Sequence, residues 1–255
     1  MYPFIHIGSR ITLGTYGLMV AVALIAAFFL MRADLARRSL AIDAETIIGV
    51  PGLAGLIGAR LYHLAEDPRA FIANPLPLLF STMGFAWFGA FLGGFAALVL
   101  LARSYKICVL RMLDVASPAA ALGYGIGRIG CLISGDGDYG IPTSLPWGMS
   151  FPNGLVPTTE HVHPTPIYEF LAALAIGHIL WRIGPRIMKR EIADGTVFAC
   201  YLILSGIARF LVEFIRINPP LLFGLSNAQL AGALCFVAGV TLLWRLPPSP
   251  LPQTR

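Results

Sequence analysis

Seven long apolar segments, separated by short polar loops, constrain this chain more than any other feature. A helix needs about 20 mostly apolar residues to cross the hydrocarbon core of a bilayer. The segments run over residues 11–31, 44–64, 84–102, 112–134, 165–181, 195–215 and 227–246. Their apolar residues are continuous rather than alternating, which excludes a porin-like barrel. The sequence therefore predicts an all-α integral membrane protein with seven transmembrane helices in a single domain, residues 1–255.

The composition excludes the main soluble classes. Hydrophobic residues make up 57% of the chain and charged residues only 12%, whereas soluble domains carry about 25% charged residues. The excess of 18 Lys and Arg over 13 Asp and Glu is spread over short loops. That distribution indicates membrane orientation rather than nucleic-acid binding. The four cysteines form no C-x-x-C pair, so we expect buried thiols and no metal framework.

The basic residues of the loops predict the orientation. The first, third and fifth loops carry ten Lys or Arg residues, whereas the second, fourth and sixth carry only Arg69 and Arg216. Basic loops remain in the cytoplasm. The N-terminus is therefore expected outside, and the Pro-rich tail, residues 247–255, inside.

The fourth loop, residues 135–164, differs from all the others. It contains no Lys or Arg and is rich in Gly and Pro. The side chains in this loop that can act in catalysis or binding are Asp136, Asp138, Tyr139, Trp147, Glu160, His161 and His163. The predicted orientation places this loop outside, between the fourth and fifth spans. Long loops of this kind often carry function, so we expect an outward-facing head that forms the working surface.

Several charged residues fall inside the predicted spans. A charge at the middle of a membrane helix costs about 2.5–3.5 kcal/mol even on the most lenient insertion scale. The residues are Arg60, Arg128, Arg209, Glu45, Asp114, Glu169 and Glu213. They could neutralise one another as a purely structural device. Several lie near the fourth loop, however, and this position favours a polar site in the bundle.

The spacing of Arg209, Glu213 and Arg216 predicts one charged helical stripe. Positions i, i+4 and i+7 lie on the same face of a helix. We expect Glu213 to orient one arginine and leave the other free. A guanidinium is a planar fork that matches two phosphate oxygens. The stripe therefore indicates a site for an anionic phosphate carried on an apolar tail.

A glycine-rich segment, residues 123–140, surrounds Arg128 at the end of the fourth span. Its glycines permit close packing of helices and close approach of a ligand to the backbone. Helix packing alone explains the glycines but not the arginine among them. We hypothesise that the partner of Arg128 is a lipid phosphate rather than a protein carboxylate.

Five sequence blocks in this order resemble one known family. They are Tyr16-Gly-Leu-Met, Gly58-Ala-Arg60-Leu-Tyr62, Gly127-Arg128-Ile-Gly130 with Ser134-Gly-Asp136 and Tyr139-Gly140, His163-Pro-Thr-Pro-Ile-Tyr168-Glu169, and Arg209-Phe-Leu-Val-Glu213-Phe-Ile-Arg216. Over residues 16–216 the chain resembles the prolipoprotein diacylglyceryl transferases of bacterial membranes. The resemblance implies seven transmembrane helices and a periplasmic head. It implies transfer of a diacylglyceryl group from phosphatidylglycerol to the lipobox cysteine of a prolipoprotein, without metal or organic cofactor.

The resemblance also implies roles for individual residues. Arg128 is the main phospholipid-binding residue. The other substrate-binding residues are Arg60, Asp136, Tyr139, Arg209, Glu213 and Arg216. The catalytic candidates are Tyr16, His163 and Glu169, and Tyr16 offers a phenol. The chemistry of histidine, rather than the resemblance, makes His161 and His163 candidate bases, because an imidazole suits proton transfer near neutral pH.

The chain departs from the family pattern at three positions. Phe88 stands where many relatives carry a histidine base, Ser205 where they carry a tyrosine, and Cys131 where they carry an asparagine. The first alternative is therefore a family member that binds phospholipid without catalysing transfer. The second is a small-solute transporter, which is disfavoured because the sequence has neither an internal repeat nor paired broken helices.

Overall fold

Long helices lie at all seven positions where the sequence predicts membrane spans. The computed structural model describes residues 2–8, 11–38, 40, 42–79, 86–189 and 191–247. The long helices are α1 (Thr15–Arg38), α2 (Ala44–Glu66), α5 (Trp87–Ser104), α6 (Val109–Ser134), α7 (Thr165–Ile183), α9 (Thr196–Val212) and α10 (Asn227–Arg245). The short helices are α3 (Pro68–Ala73), α4 (Pro75–Leu79) and α8 (Pro185–Met188). A 3-10 turn, Glu213–Ile215, follows α9.

The long helices carry the apolar surface of a multi-pass membrane protein. Within the described residues, five of them, α1, α2, α7, α9 and α10, are long and apolar enough to cross a membrane. The apolar part of α5, Phe88–Ser104, is shorter, and α6 is not among the five. Large apolar side chains point outward, including Leu53 (61% exposed) and Leu234 (71% exposed). Contact with lipid removes the free-energy cost that these exposed apolar side chains would carry in water.

Helix α6 joins two groups of helices. On one side it packs against α1, which contacts α2, and against α5, which pairs closely with α2. On the other side it packs against α7 and α9, and α9 pairs with α10. The first core contains Met31, Ile47 and Met112. The second contains Leu180 and Val197, together with a buried alanine of α6. Side chains of α6 therefore belong to both cores.

Two helix pairs approach closely because glycines face each other. A Cβ atom on Gly58 of α2 would overlap the backbone oxygen of Gly89 of α5. The same relation holds between Gly206 of α9 and Gly232 of α10. With little apolar driving force between helices in lipid, close backbone packing of this kind holds the pairs together.

Two small hairpins accompany the helices. Strands β1 (Phe4–Ile7) and β2 (Ile11–Gly14) precede α1. Strands β3 (Met149–Phe151) and β4 (Thr158–Val162) lie in the fourth loop, where Met149 pairs with Val162. The chain is mostly helical, as predicted, but the sequence analysis did not predict these two hairpins, because strands of three to five residues give almost no periodic signal. Residues 135–164 form a folded head.

Asp114, one of the charges predicted inside the spans, has structural partners at the end of the bundle opposite the head, where α1 also carries a buried ion pair. Asp114 of α6 accepts hydrogen bonds from the backbone nitrogens of Gly195 (2.5 Å) and Phe198 (2.7 Å), and so caps the start of α9. Asp34 and Arg38 of α1 form a buried ion pair at 2.7 Å. For Asp114, the alternative that a charge inside a span serves only the fold is therefore the correct one. Residues 84 and 85 of the predicted third span, and 248–255 of the predicted tail, lie outside the described residues.

Substitution of two glycines in the same helix tests the α2–α5 contact. We expect Gly58→Ala to lower the melting temperature in detergent, because the added methyl group forces the two backbones apart. Gly49→Ala is the matched control, since nothing lies within 4 Å of a Cβ atom there. Alanine is favoured over glycine inside a helix by about 0.5–1 kcal/mol, so this control should be unchanged or slightly stabilised. Equal melting temperatures for the two variants would contradict the close contact.

Candidate active site

Glu169 of α7 is the centre of a charged cluster at the head end of the bundle, the end at which residues 135–164 lie. Its Oε1 accepts hydrogen bonds from Arg209 Nη1 at 2.6 Å and from the Tyr124 hydroxyl at 2.5 Å. Its Oε2 lies 3.2 Å from Arg216 Nη1 and 3.6 Å from Arg128 Nη1. The Glu169 side chain is only 4% exposed. One buried carboxylate thus holds three guanidinium groups from different parts of the chain.

Asp138 is the second carboxylate that joins these arginines. Its two oxygens accept separately from Arg128 and Arg216. Asp138 follows the end of α6, where Gly135 (φ +60°) and Gly137 (φ +92°) turn the chain back. Burial raises the pKa of Asp138, but the charges of Arg216 and Arg128 outweigh burial and leave its pKa below the ordinary value. This carboxylate is therefore ionised at neutral pH.

Glu213 connects the arginine cluster to the start of α10. It accepts from the Ser226 hydroxyl at 2.8 Å and from Asn218 Nδ2 at 2.5 Å, and Ser226 is the N-cap of α10. It also lies 3.3 Å from Arg209 Nη2 and 3.5 Å from Arg216 Nε. The expectation that Glu213 leaves one arginine free is wrong. The 3-10 turn after α9 tightens the chain and brings both guanidiniums to the same carboxylate.

The exposure of the arginine side chains separates them into two kinds. Arg216 is 5% exposed, whereas Arg128 is 21% and Arg209 is 26% exposed. The hypothesis that Arg128 lacks a carboxylate partner is wrong, because its Nη1 contacts Asp138. All its hydrogen bonds to the described residues use Nη1. The edge formed by Nε and Nη2 has no acceptor in the described part of the chain and can take a ligand.

Two further predicted residues lie at this cluster. Tyr16, at the start of α1, is 48% exposed and lies within electrostatic range of Cys131, Arg128 and Asp136. Asp136 is half-buried, and its Oδ1 accepts from the backbone nitrogen of Asp138 at 3.3 Å. Burial raises the pKa of Asp136.

Tyr139 belongs to the core of the head rather than to the charged cluster. Its ring stacks on Phe151 at 5.1 Å between centroids, and its hydroxyl donates to the backbone oxygen of Val156 at 3.2 Å. It is 7% exposed. The predicted substrate-binding role of Tyr139 is thus not supported by its surroundings, because both its ring and its hydroxyl are used inside the head.

His163 and Arg60 also have their bonds elsewhere. His163 Nδ1 lies 3.2 Å from the Tyr168 hydroxyl, which accepts from Trp147 Nε1 at 2.8 Å. Arg60 of α2 donates to the backbone oxygens of Leu78 and Leu79 at the end of α4. Within the described residues, neither side chain forms a hydrogen bond or ion pair with the carboxylates of the cluster. These contacts indicate structural roles for both.

Cys131, Asp136 and Asp138 place one donor atom each within 4.8 Å of one another. Such a group could in principle hold a metal ion. Both oxygens of Asp138 are already bonded to guanidinium groups, however. The positive charges of Arg128 and Arg216 oppose the binding of a cation at this distance. These contacts make the group a poor site for a metal ion.

Two members of the cluster were not assigned a role from the sequence. Tyr124 precedes Arg128 by four residues, which places both on one face of α6, and its ring centre lies 5.0 Å from the Arg128 guanidinium carbon. That spacing could have identified Tyr124 from the sequence as a neighbour of Arg128 in the site. Asp138 reaches the arginines only through the turn at Gly135 and Gly137, and the sequence alone does not define the direction of that turn.

A sequence model described as prolipoprotein diacylglyceryl transferase matches residues 3–245 of the chain. The chain belongs to this family. Among curated relatives, the phosphatidylglycerol–prolipoprotein diacylglyceryl transferase of Clostridium tetani is 34% identical over 89% of this chain and 88% of its own length. The enzyme of the same name from Geobacter sulfurreducens is 36% identical, with the same coverage of both chains. That of Synechococcus elongatus is 33% identical over 90% of this chain and 82% of its own. The resemblance noted from the sequence is confirmed.

Removal of the most buried arginine tests whether the cluster supports the fold. Arg216→Gln leaves Asp138 and Glu169 with less positive charge around them, and breaking a buried pair costs about 3–5 kcal/mol. We expect a large drop in melting temperature in detergent. Arg186→Gln is the control, because Arg186 pairs with Glu191 while 54% exposed, and exposed pairs contribute about 0–1 kcal/mol. Similar melting temperatures for both variants would show that Arg216 is not required for stability.

Proposed function

We propose that this chain transfers a diacylglyceryl group from phosphatidylglycerol to the lipobox cysteine thiol of prolipoproteins, the first step of bacterial lipoprotein maturation. The observation that carries the proposal is the pair of partly exposed guanidiniums, Arg128 and Arg209, fixed by buried Glu169 at one end of an apolar bundle. Family membership supports the same reaction. The relatives compared above are named as transferases, and they give no support to a protein that only binds lipid or to a small-solute transporter.

The reaction makes two demands on a site. The nucleophile must be a thiolate, which attacks the diacylglyceryl carbon that carries the phosphate ester. Negative charge then grows on the departing glycerol phosphate. Fixed positive groups in a site with little water stabilise such charge most effectively. In our proposal the free edge of Arg128, formed by Nε and Nη2, binds the phosphate. Arg209, on the other oxygen of Glu169, adds positive charge that stabilises the bound phosphate.

The buried members of the cluster keep these arginines in place. Arg216 contacts Asp138 and Glu169 while almost fully buried, so we assign it to positioning rather than to lipid contact. The same holds for Glu169, whose oxygens accept from arginines and from the Tyr124 hydroxyl. It also holds for Glu213, which accepts from the Ser226 hydroxyl and lies 3.3 Å from Arg209 Nη2 and 3.5 Å from Arg216 Nε. Guanidiniums that are oriented before the lipid arrives need no rearrangement during the reaction.

The proposed site also fits a membrane location. We propose seven spans in the bacterial inner membrane, with α5 and α6 as the third and fourth. In α6 the residues 115–127 carry no charge, and Asp114 near its start is used as a cap for α9. The head and the N-terminus then lie on the periplasmic side. Phosphatidylglycerol of the outer leaflet and the lipobox of a translocated prolipoprotein can then both reach the charged cluster at the periplasmic end of the bundle.

Substitution of Arg128 tests the phosphate site. Arg128→Lys keeps the charge but loses the planar fork, so it should lose most activity. Arg128→Gln should lose at least about 100-fold, comparable to removing one preorganised donor from an anion site. The measurement is transfer of labelled diacylglyceryl from phosphatidylglycerol to a prolipoprotein, with the amount of membrane protein determined in parallel. Arg186→Gln serves as the control for a lost surface charge. Full activity of Arg128→Gln would remove Arg128 from the phosphate site.

Reporter fusions test the proposed orientation. Fusions after Arg38, Ser104 and Lys189 should report the cytoplasm, because each follows a basic loop segment. A fusion after Asn153, in the head, should report the periplasm. A cytoplasmic signal at Asn153 would invert the topology and separate the site from outer-leaflet lipid.

A further inference from the structure

The proposed transfer needs a group that removes the proton of the incoming thiol, and the following inference rests on that proposed function. Four carboxylates belong to the charged cluster or lie directly beside it: Asp136, Asp138, Glu169 and Glu213. A carboxylate that is held by cations and hydrogen-bond donors is a poor proton acceptor, because its ionised form is already stabilised. The partners of each carboxylate therefore decide which of them can act as a base.

Three of the four are occupied. Glu169 meets Tyr124 and three arginines. Asp138 has a guanidinium on each oxygen. Glu213 contacts two guanidiniums, the Ser226 hydroxyl and the amide of Asn218. Protonation of any of these would break contacts that hold the phosphate-binding arginines in place.

Asp136 is different. It forms no ion pair with any residue in the described part of the chain. Its hydrogen bond to the protein backbone uses Oδ1, at 3.3 Å from the nitrogen of Asp138. One of its oxygens also lies within 4.8 Å of Cys131 Sγ and of an Asp138 oxygen. Since Asp138 bonds directly to Arg128, Asp136 lies beside the proposed phosphate site without neutralising it.

We propose that Asp136 is the general base of the transfer. The carboxylate takes the S–H proton of the lipobox cysteine, and the sulfur forms a bond to the diacylglyceryl carbon as the bond from that carbon to the phosphate oxygen breaks. The electron pair of the broken bond leaves on glycerol phosphate. The proton then passes from Asp136 to the released phosphate or to water, so the carboxylate is restored and no oxidant, reductant or metal is consumed.

The surroundings of Asp136 suit this role. Burial raises its pKa, Asp138 raises it further, and the thiol of Cys131 and the charge of Arg128 lower it. A base is most effective when its pKa lies closer to that of the group it deprotonates while it remains ionised at the working pH. Of the other candidates, His163 places Nδ1 3.2 Å from the Tyr168 hydroxyl and forms no hydrogen bond or ion pair with the described residues of the cluster. The phenol of Tyr16 must itself lose a proton before it can accept one.

The test is the pH dependence of transfer by Asp136→Asn, with phosphatidylglycerol in mixed micelles and a synthetic lipobox peptide as acceptor. At pH 7 we expect kcat to fall by about 100-fold, the lower end of the usual contribution of a general base. A free thiol ionises with a pKa of about 8.5, so at pH 9 the acceptor no longer needs a base. The defect should then shrink to less than about tenfold, with KM for phosphatidylglycerol unchanged at both pH values.

Two variants separate this role from a structural one. Asp136→Glu retains a carboxylate and should recover part of the activity at pH 7. Asp138→Asn removes a direct partner of Arg128 and Arg216, so it should lose activity by a similar factor at both pH values and melt at a lower temperature. An equal loss for Asp136→Asn at pH 7 and pH 9, a change confined to KM for the lipid, or no loss would each overturn the assignment. Absence of transfer by the unaltered chain would instead reject the proposed function itself.

Discussion

The need to neutralise arginines inside an apolar bundle governs the structure of the head end. A guanidinium there is tolerated only with carboxylates and hydrogen-bond partners around it. Glu169 and Asp138 meet this need for Arg128, Arg209 and Arg216 at once. Because these residues come from α6, α7, the segment after α6 and the end of α9, the ion pairs also determine how the helices and the head meet.

The buried and exposed parts of the cluster have different consequences. Arg216 and Glu213 are almost fully buried, and their contacts reach the start of α10 through Ser226. Arg128 and Arg209 keep part of their surface accessible. The buried residues Arg216 and Glu213 therefore help to hold the accessible guanidiniums of Arg128 and Arg209 in a fixed orientation. This is the arrangement expected where a ligand must be stabilised as its charge increases.

The departures from the family pattern have local explanations in this chain. The Ser205 hydroxyl donates to the backbone oxygen of Tyr201 at 2.5 Å and so stays within its own helix. A phenol reaches Glu169 instead from Tyr124 of α6. Phe88 is 59% exposed and lies 6.3 Å from the ring of Tyr62. A phenyl ring cannot exchange a proton, so in the proposed reaction the proton must pass to another group. Among the described carboxylates of the charged cluster, Asp136 is the one without an ion pair to arginine.

The sequence by itself determined the helical membrane architecture, because apolar runs of about 20 residues have few other stable states. The cost of charge at membrane depth also indicated a polar site near the fourth loop, and the family resemblance gave residues for it. Arg128, Arg209, Glu169 and Glu213 do lie together, whereas Arg60 and Asp114 have their partners outside the cluster. Only the tertiary structure decided which charges are partners. Asp138 reaches Arg128 and Arg216 because the chain turns at two glycines. Asp114 caps the start of α9. Tyr139 stacks on Phe151, and His163 lies beside the Tyr168 hydroxyl. Such pairings depend on distances between segments far apart in sequence, which no local pattern encodes.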